Sequence, residues 1–241
     1  MQVTLCFDFG NTRLKCAIFE NDSLNNVEVL QDFGVQSIKL LVEKYAATHS
    51  ILSSVVNHDA AIETELARLT TFHKLDHNSK LPFTSPVGKP ETIGADRLAL
   101  VAAAVYMHPN QHNLVIGLGS CITYNFVNRF HEFLGGGISP GLEMRFKSMN
   151  QFTAKLPLVK PDWNFPLVGY DTRTNMLSGV ILGMAKEIEG ITGEYEERYG
   201  NFNVLLTGGD MGFFAPHFKK KIFADPHLIY KGLYAISKSN S

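Results

Sequence analysis

No stretch of this chain can cross a bilayer as a helix: the longest apolar run, Leu98–Met107, is far short of the ~20 residues required. Cysteine is scarce, with Cys6, Cys16 and Cys121 forming neither an even set nor a CxxC pair, which argues against a disulfide framework. Cys6 and Cys16 lie in strand-like runs, where a free cysteine usually serves as a small buried hydrophobe, and a reducing cytoplasm suits them. A cationic segment followed by an apolar one is missing before Asp8, so no secretory signal is expected. Excess charge of either sign is missing too. The formal net charge of −1, spread along the chain, gives no electrostatic support to a nucleic-acid or anionic-membrane partner. The nine histidines show no metal-ligand spacing such as HExxH.

What remains is an ordinary globular composition, 45% hydrophobic and 19% charged over 241 residues. That length suits one large domain or two of about 110–120 residues, burying roughly 70–75% of the unfolded surface. Trp163 and the seventeen phenylalanines read as core.

Residues 2–8 and 14–20 read as strands around a tight polar turn, with a third strand over 27–33. Helical spacing covers Val35–Ala47 and Ala60–Leu69, with a short strand over Ser50–Val56 between them. Residues 76–93 hold three prolines and read as irregular, and GlyAlaAspArg at 94–97 opens an apolar helix. A second strand–turn–strand, "NLVIGLGSCITYNFV", follows at 113–127, with a further strand through Phe130–Leu134. Asp171–Gly200 reads as one long helix with glycine interruptions, then a strand over 202–209 and a last helix around Pro226–Ser237. Strands interleave with helices, so the class is α/β. Asp8–Thr12 laid over Gly117–Cys121 suggests an internal duplication into halves 1–110 and 111–241 meeting at a cleft, with room for the last helix to return to the first half.

The chemistry gathers in the turns. In "DFGNTRLK", Gly10 admits conformations that a Cβ forbids, and successive N–H groups can converge on an anion. Asn11 and Thr12 add donors, Lys15 adds a point charge, and Asp8 is the oxygen ligand a hydrated Mg²⁺ prefers. Taken alone, the motif fits a plain hairpin turn equally well, because Asp, Asn and Gly are all common there. The partial copy at 117–121 tips it toward phosphate binding. "LGGGISPGL" at 134–142 reads as a loop exposing backbone donors beside a helix N-terminus, and "LLTGGD" at 205–210 as bare backbone against which a base or ribose lies. Asp96, in the first turn of its helix, has a structural explanation in the helix dipole and Arg97 one as a solvated cation.

In order along the chain, DxGNTRLK, GADR, GSCIT, GGGISPGL and TGGD resemble the type III pantothenate kinases of the actin/hexokinase/Hsp70-like phosphotransferase superfamily. The resemblance implies two similar ribonuclease H-like (actin-like ATPase) halves, with mixed sheets, helices on both faces and a cleft. It implies transfer of the ATP γ-phosphate to the 4′-hydroxyl of pantothenate, the first step of coenzyme A synthesis. ATP phosphates would be bound by Asp8, Phe9, Gly10, Asn11, Thr12, Arg13, Leu14 and Lys15, with Ser120 standing where the family has Thr. Gly208 and Gly209 would lie near adenosine. Pantothenate would meet Gly94, Ala95, Asp96, Arg97 and Thr172, with Asp96 as catalytic base; beside the resemblance, the guanidinium of Arg97 offers a bidentate anchor for the substrate carboxylate. Mg²⁺, held at Asp8, a monovalent cation (K⁺ or NH₄⁺) and a homodimer are also implied.

Three positions depart from the family pattern. The acid that ligates the monovalent cation falls on Gly117, a second acid falls on Asn125, and a substrate-contacting tyrosine falls on Val87. Two alternatives therefore stand beside the kinase: a catalytically weakened or non-catalytic homologue binding nucleotide or pantothenate, and a kinase of another small alcohol.

Overall fold

The computed structural model describes every residue except Met1, Phe33, Val87 and Ser241, so the expectation attached to Val87 lies outside the described residues. The chain forms two compact units. The first takes residues up to Gln111, Asn125–Gly135 and the chain from His227 onward; the second takes His112–Tyr124 and Gly136–Pro226.

In the first unit, β1 (Val3–Phe9), β2 (Leu14–Glu20), β3 (Ser23–Leu30), β4 (His49–Ser54) and β5 (Thr71–Lys74) form one sheet in the order β3-β2-β1-β4-β5. β1 pairs antiparallel with β2 and parallel with β4. It is covered on both faces and reads as a nearly continuous apolar run, as a central strand must. On one face Leu5, Phe7, Phe9, Leu14, Ile18 and Leu52 pack with Ile38, Leu41 and Val42 of α1 (Val35–Tyr45) and Ile62 and Leu66 of α2 (Ala60–Leu69). On the other lie α3 (Ala95–Met107) and α8 (Leu228–Ser239), the latter against both β1 and β4.

β3 begins four residues earlier than the spacing of apolar residues suggests. Asn21 and Asp22 both adopt positive φ (47° and 71°), and such a two-residue turn matches the twist of a hairpin and pairs the strands at once. Tyr234 of α8 then stacks on Phe19 at 4.3 Å, and its hydroxyl donates to Asp22 at 2.6 Å.

α8 approaches α3 closely because Gly232 has no side chain. A Cβ there would lie 1.8 Å from the carbonyl oxygen of Ala99 and 3.1 Å from the nitrogen of Ala103. Replacing Gly232 with alanine must push two helices apart, at a cost of about 3 kcal/mol. We expect the Gly232→Ala melting temperature to fall by roughly 6–12 °C in a calorimetric scan.

The second sheet contains β6 (Asn113–Leu118), β7 (Cys121–Val127), β8 (Phe133–Pro140), β9 (Asn203–Thr207) and β10 (Phe223–Ala224) in the order β10-β9-β6-β7-β8. Read from β8, this is the strand order of the first sheet, and β6–β9 and β9–β10 are again parallel. The halves are therefore similar. The helices of the second unit are α4 (Leu142–Gln151), α5 (Thr172–Leu177), α6 (Gly183–Tyr199) and the short α7 (Met211–Phe214). A π-helical stretch, Ser178–Leu182, joins α5 to α6, so the long helix expected over 171–200 is present with an irregularity in its glycine-containing part. Trp163 donates its indole N–H to the carbonyl of Phe213 and stacks on His217, tying the irregular segment before α5 to α7.

One expectation is corrected. Residues 134–140 are not a loop; they are most of β8, which runs directly into α4 with Gly141 as its N-cap. Gly135 and Gly136 have φ of 93° and 156°, and a Cβ on Gly137 would touch the Tyr124 ring at 3.5 Å. Glycine serves this strand by allowing conformations and contacts that other residues resist.

Candidate active site

The opening motif of the first unit forms the hairpin turn between β1 and β2, closed by a hydrogen bond from Gly10 N to Arg13 O at 3.2 Å. Asn11, Thr12 and Arg13 are exposed on it, while Phe9 is buried and Leu14 sits in the core. Asp8, next to last in β1, is half-buried and directly opposite Lys15 on β2 and Ser53 on β4. Partners in register project from the same face, so lysine, aspartate and serine form a polar row across three strands. The row before it, Ala17, Cys6 and Ile51, is fully buried and apolar.

Gly94 is the N-cap of α3, with Ala95, Asp96 and Arg97 in the first turn. The Asp96 carboxylate folds back over the cap: a Cβ on Gly94 would lie 2.5 Å from Asp96 Oδ1 and 3.9 Å from Val55. Glycine is thus required for that side-chain position. Backbone N–H groups of Arg97 and of Asp96 itself hold the carboxylate, yet burial still raises its pKa above the usual aspartate range.

Asp8 and Asp96 are electrostatic neighbours. Burial, then the negative charge of Asp96, pushes the Asp8 carboxyl up to about 7, against the opposing pull of Lys15. An acid whose proton affinity is raised by burial and by a second acid, beside a cation, marks a site poised for a positively charged ligand. Tyr230 of α8, buried, also senses Asp8: burial first, then that charge, raises its phenol. Among the described residues no group of three or more His, Cys, Asp or Glu could hold a metal ion. Asp8 and Asp96 themselves are oxygen donors of the kind Mg²⁺ takes, one or two carboxylates with water and phosphate completing the shell.

Arg97 donates from Nε to Asn125 Oδ1 at 2.7 Å and lies over the Phe133 ring. Asn125 is fully buried, so where the family pattern has an acid, this chain grips its arginine through a neutral acceptor. From the end of β4, Ser54, His58 and Glu63 form a hydrogen-bonded chain (3.0 and 2.9 Å) that resembles a nucleophilic relay. Ser54 also donates to the carbonyl of Val56 and Glu63 also binds Lys74, so the chain pins the β4–α2 connection.

In the second unit, three glycine-bearing motifs converge. The turn around Gly119 and Ser120, both exposed, is closed by Gly119 N to Cys121 O at 3.1 Å. Gly141 N donates to Ser120 O, and a Cβ on Gly141 would lie 2.1 Å from Gly119 O. From β9, Gly208 (φ 104°) comes so near that a Cβ would lie 2.2 Å from Leu118 O, and Asp210 N donates to that same oxygen at 3.1 Å. Gly209 follows with open space around it. Gly117, paired with Thr207, brings no side chain to the position where a cation-binding acid was expected. Thr172 is exposed at the first position of α5, after Asp171, whose carboxylate caps the helix by accepting from Thr174 N at 2.7 Å.

Sequence reasoning missed Ser53, Tyr230 and the pairing of Arg97 with Asn125. Each reaches the site through register or helix packing between segments far apart in the chain.

A family model described as type III pantothenate kinase matches residues 4–194. Proteins named type III pantothenate kinase from Christiangramia forsetii and Phocaeicola vulgatus are 39% and 37% identical to this chain, each over 99% of both sequences. Among solved structures, a Campylobacter jejuni protein assigned to the Baf family of transcriptional activators aligns with a TM-score of 0.64 at 21% identity, over 98% of each chain. Component A of the (R)-2-hydroxyglutaryl-CoA dehydratase of Acidaminococcus fermentans aligns at 0.52 and 14%, over the whole of both. The ATP/polyphosphate glucomannokinase of an Arthrobacter species aligns at 0.50 and 15%, over 100% of this chain and 98% of that one. These distant likenesses speak to the actin-like fold alone. With the family match running through both phosphate-type turns and the GADR helix start, and relatives similar from end to end, the chain belongs to the type III pantothenate kinase family.

Proposed function

We propose that this protein transfers the γ-phosphoryl group of ATP to the 4′-hydroxyl of pantothenate, releasing ADP and 4′-phosphopantothenate. The observation that carries the reading is the coupling of Asp8 to Asp96, which joins the phosphate-type turn to the helix start in one electrostatic neighbourhood. Phosphoryl transfer needs alignment and charge neutralisation more than covalent help, because its transition state is loose. Backbone N–H groups at 11–13 in the turn, with Lys15, neutralise phosphate oxygens. Asp96 orients the pantothenate hydroxyl and accepts its proton as the new O–P bond forms and the bond to the ADP oxygen breaks. Arg97, oriented by Asn125, anchors the substrate carboxylate. Ser120 serves the phosphates from the second turn, Gly208 and Gly209 give adenosine a flat backbone surface, and Thr172 contacts pantothenate.

Mg²⁺ would be held by Asp8 and, when bound, offsets phosphate charge. A carboxylate-ligated monovalent cation does not fit the second turn, because Gly117 has no side chain to supply it. Val159, Leu158 and Phe146 border a hollow beside α4 that none of the motif residues lines. Leu158, Leu167, Val168 and Tyr170, each 61–81% exposed, support burial against a second copy in a homodimer. All three cysteines are free thiols, as suits the cytoplasm.

Purified protein given ATP, Mg²⁺ and pantothenate should form phosphopantothenate and ADP, at rates differing less than about twofold between K⁺ and Na⁺ buffers, as expected without an ion-ligating carboxylate. Light scattering on the same preparation should return twice the 26.8 kDa chain mass. Turnover no higher than that of heat-killed protein would overturn the kinase reading in favour of a binding protein. A faster reaction with another small alcohol would replace pantothenate as the substrate.

A further inference from the structure

Ser53 is fully buried, and its hydroxyl has no hydrogen-bond partner. Leaving such a group unsatisfied destabilises the fold, so a buried orphan hydroxyl calls for an explanation. Its position supplies one. Ser53 is the parallel partner of Asp8, on the same face of the sheet, in the polar row that Lys15 completes. It lies one residue beyond the last pairing of β4 with β5, so among the described residues no strand pairs with it on that side. The neighbouring Ser54 hydroxyl, by contrast, is satisfied by Val56 and His58.

We propose that Ser53 is a positioning residue for the divalent ion at Asp8, its Oγ accepting a hydrogen bond from one of the ion's bound waters. Mg²⁺ and Mn²⁺ keep several waters when bound by one carboxylate, and each such water needs an outer acceptor. A serine oxygen one strand away, and fixed by complete burial, meets that need without adding negative charge to a site that already holds two carboxylates. Groups in this outer position govern metal affinity, typically by 10–100-fold. The inference rests on Asp8 being the metal carboxylate, and the test separates the two.

The experiment titrates Mn²⁺ into the wild type, Ser53→Ala and Asp8→Asn in the presence of ADP, following free Mn²⁺ by electron paramagnetic resonance. Thermal melts of the ligand-free proteins accompany it. Ser53→Ala should bind Mn²⁺ at least about tenfold more weakly while melting at the same temperature as the wild type or higher, because the orphan group is gone. A serine with a purely structural role would lower the melting temperature and leave the Mn²⁺ affinity alone, and that result overturns the proposal. If Asp8→Asn loses Mn²⁺ while Ser53→Ala keeps it, the serine assignment fails alone. If Asp8→Asn keeps it, the reading of Asp8 fails and the proposal with it.

Discussion

Asp96→Asn should lower kcat by about 10²–10⁴ while leaving the KM for ATP within a few-fold of the wild type. Asparagine keeps the shape and can still accept the backbone N–H hydrogen bonds that hold Asp96 at the start of α3, so the fold should survive. What disappears is the proposed proton acceptor. Burial raises the Asp96 pKa, so the carboxylate is a better base than a surface aspartate, and the rate should fall as pH drops through that raised value. In a pH profile of kcat/KM for pantothenate, the acidic limb should lie above the ordinary aspartate range of about 4 and be absent from the variant's residual activity. An unchanged turnover would remove Asp96 from the base role.

Asp8→Asn should have opposite effects on activity and stability. Removing the carboxylate should reduce turnover by at least about a hundredfold, the usual loss when a preorganised electrostatic group is deleted. The nucleotide-free variant should nevertheless be more stable than the wild type at alkaline pH. The Asp8 carboxyl is pushed up to about 7 in the folded protein, against 3.8 for the free group. Below the lower value both states are protonated and nothing is lost. Between the two values the unfolded chain ionises first, so stability falls as pH rises, and above about 7 the folded state carries the full cost of the buried charge. That cost is on the order of 2–4 kcal/mol, or a melting temperature at least about 4 °C higher for Asp8→Asn at pH 8. Near pH 4 the two proteins should melt together. Equal melting temperatures at both pH values would mean that the Asp8 charge is not strained.

Local features of the site could be read from the sequence and non-local ones could not. The 10–13 turn announced itself because small polar residues interrupt two apolar strands, and its partner at 117–121 because its spacing repeats. Asp96 stood out through GADR, a short contiguous motif. Glycine misled at 134–137, where it permits strand conformations and contact with Tyr124 instead of marking a loop. β5 escaped because four residues at a sheet edge, none of them fully buried, carry too little hydrophobic pattern. Ser53 escaped for a deeper reason. In "ILSSVV" nothing distinguishes one serine from the other, and only the β1–β4 register sets one beside Asp8 and the other against His58. The pairing of Arg97 with Asn125 likewise joins residues 28 positions apart on different elements.

The last helix belongs to the first unit, packed on α3 through Gly232 and against β1 and β4. The chain emerges from the ribosome N-terminus first, so β1, β4 and the apolar face of α3 are made long before the segment that covers them. The first unit therefore cannot close its core during synthesis, however early its sheet forms. Completion waits for α8 to emerge, and a nascent chain stalled short of it would leave an adhesive surface exposed to chaperones and proteases.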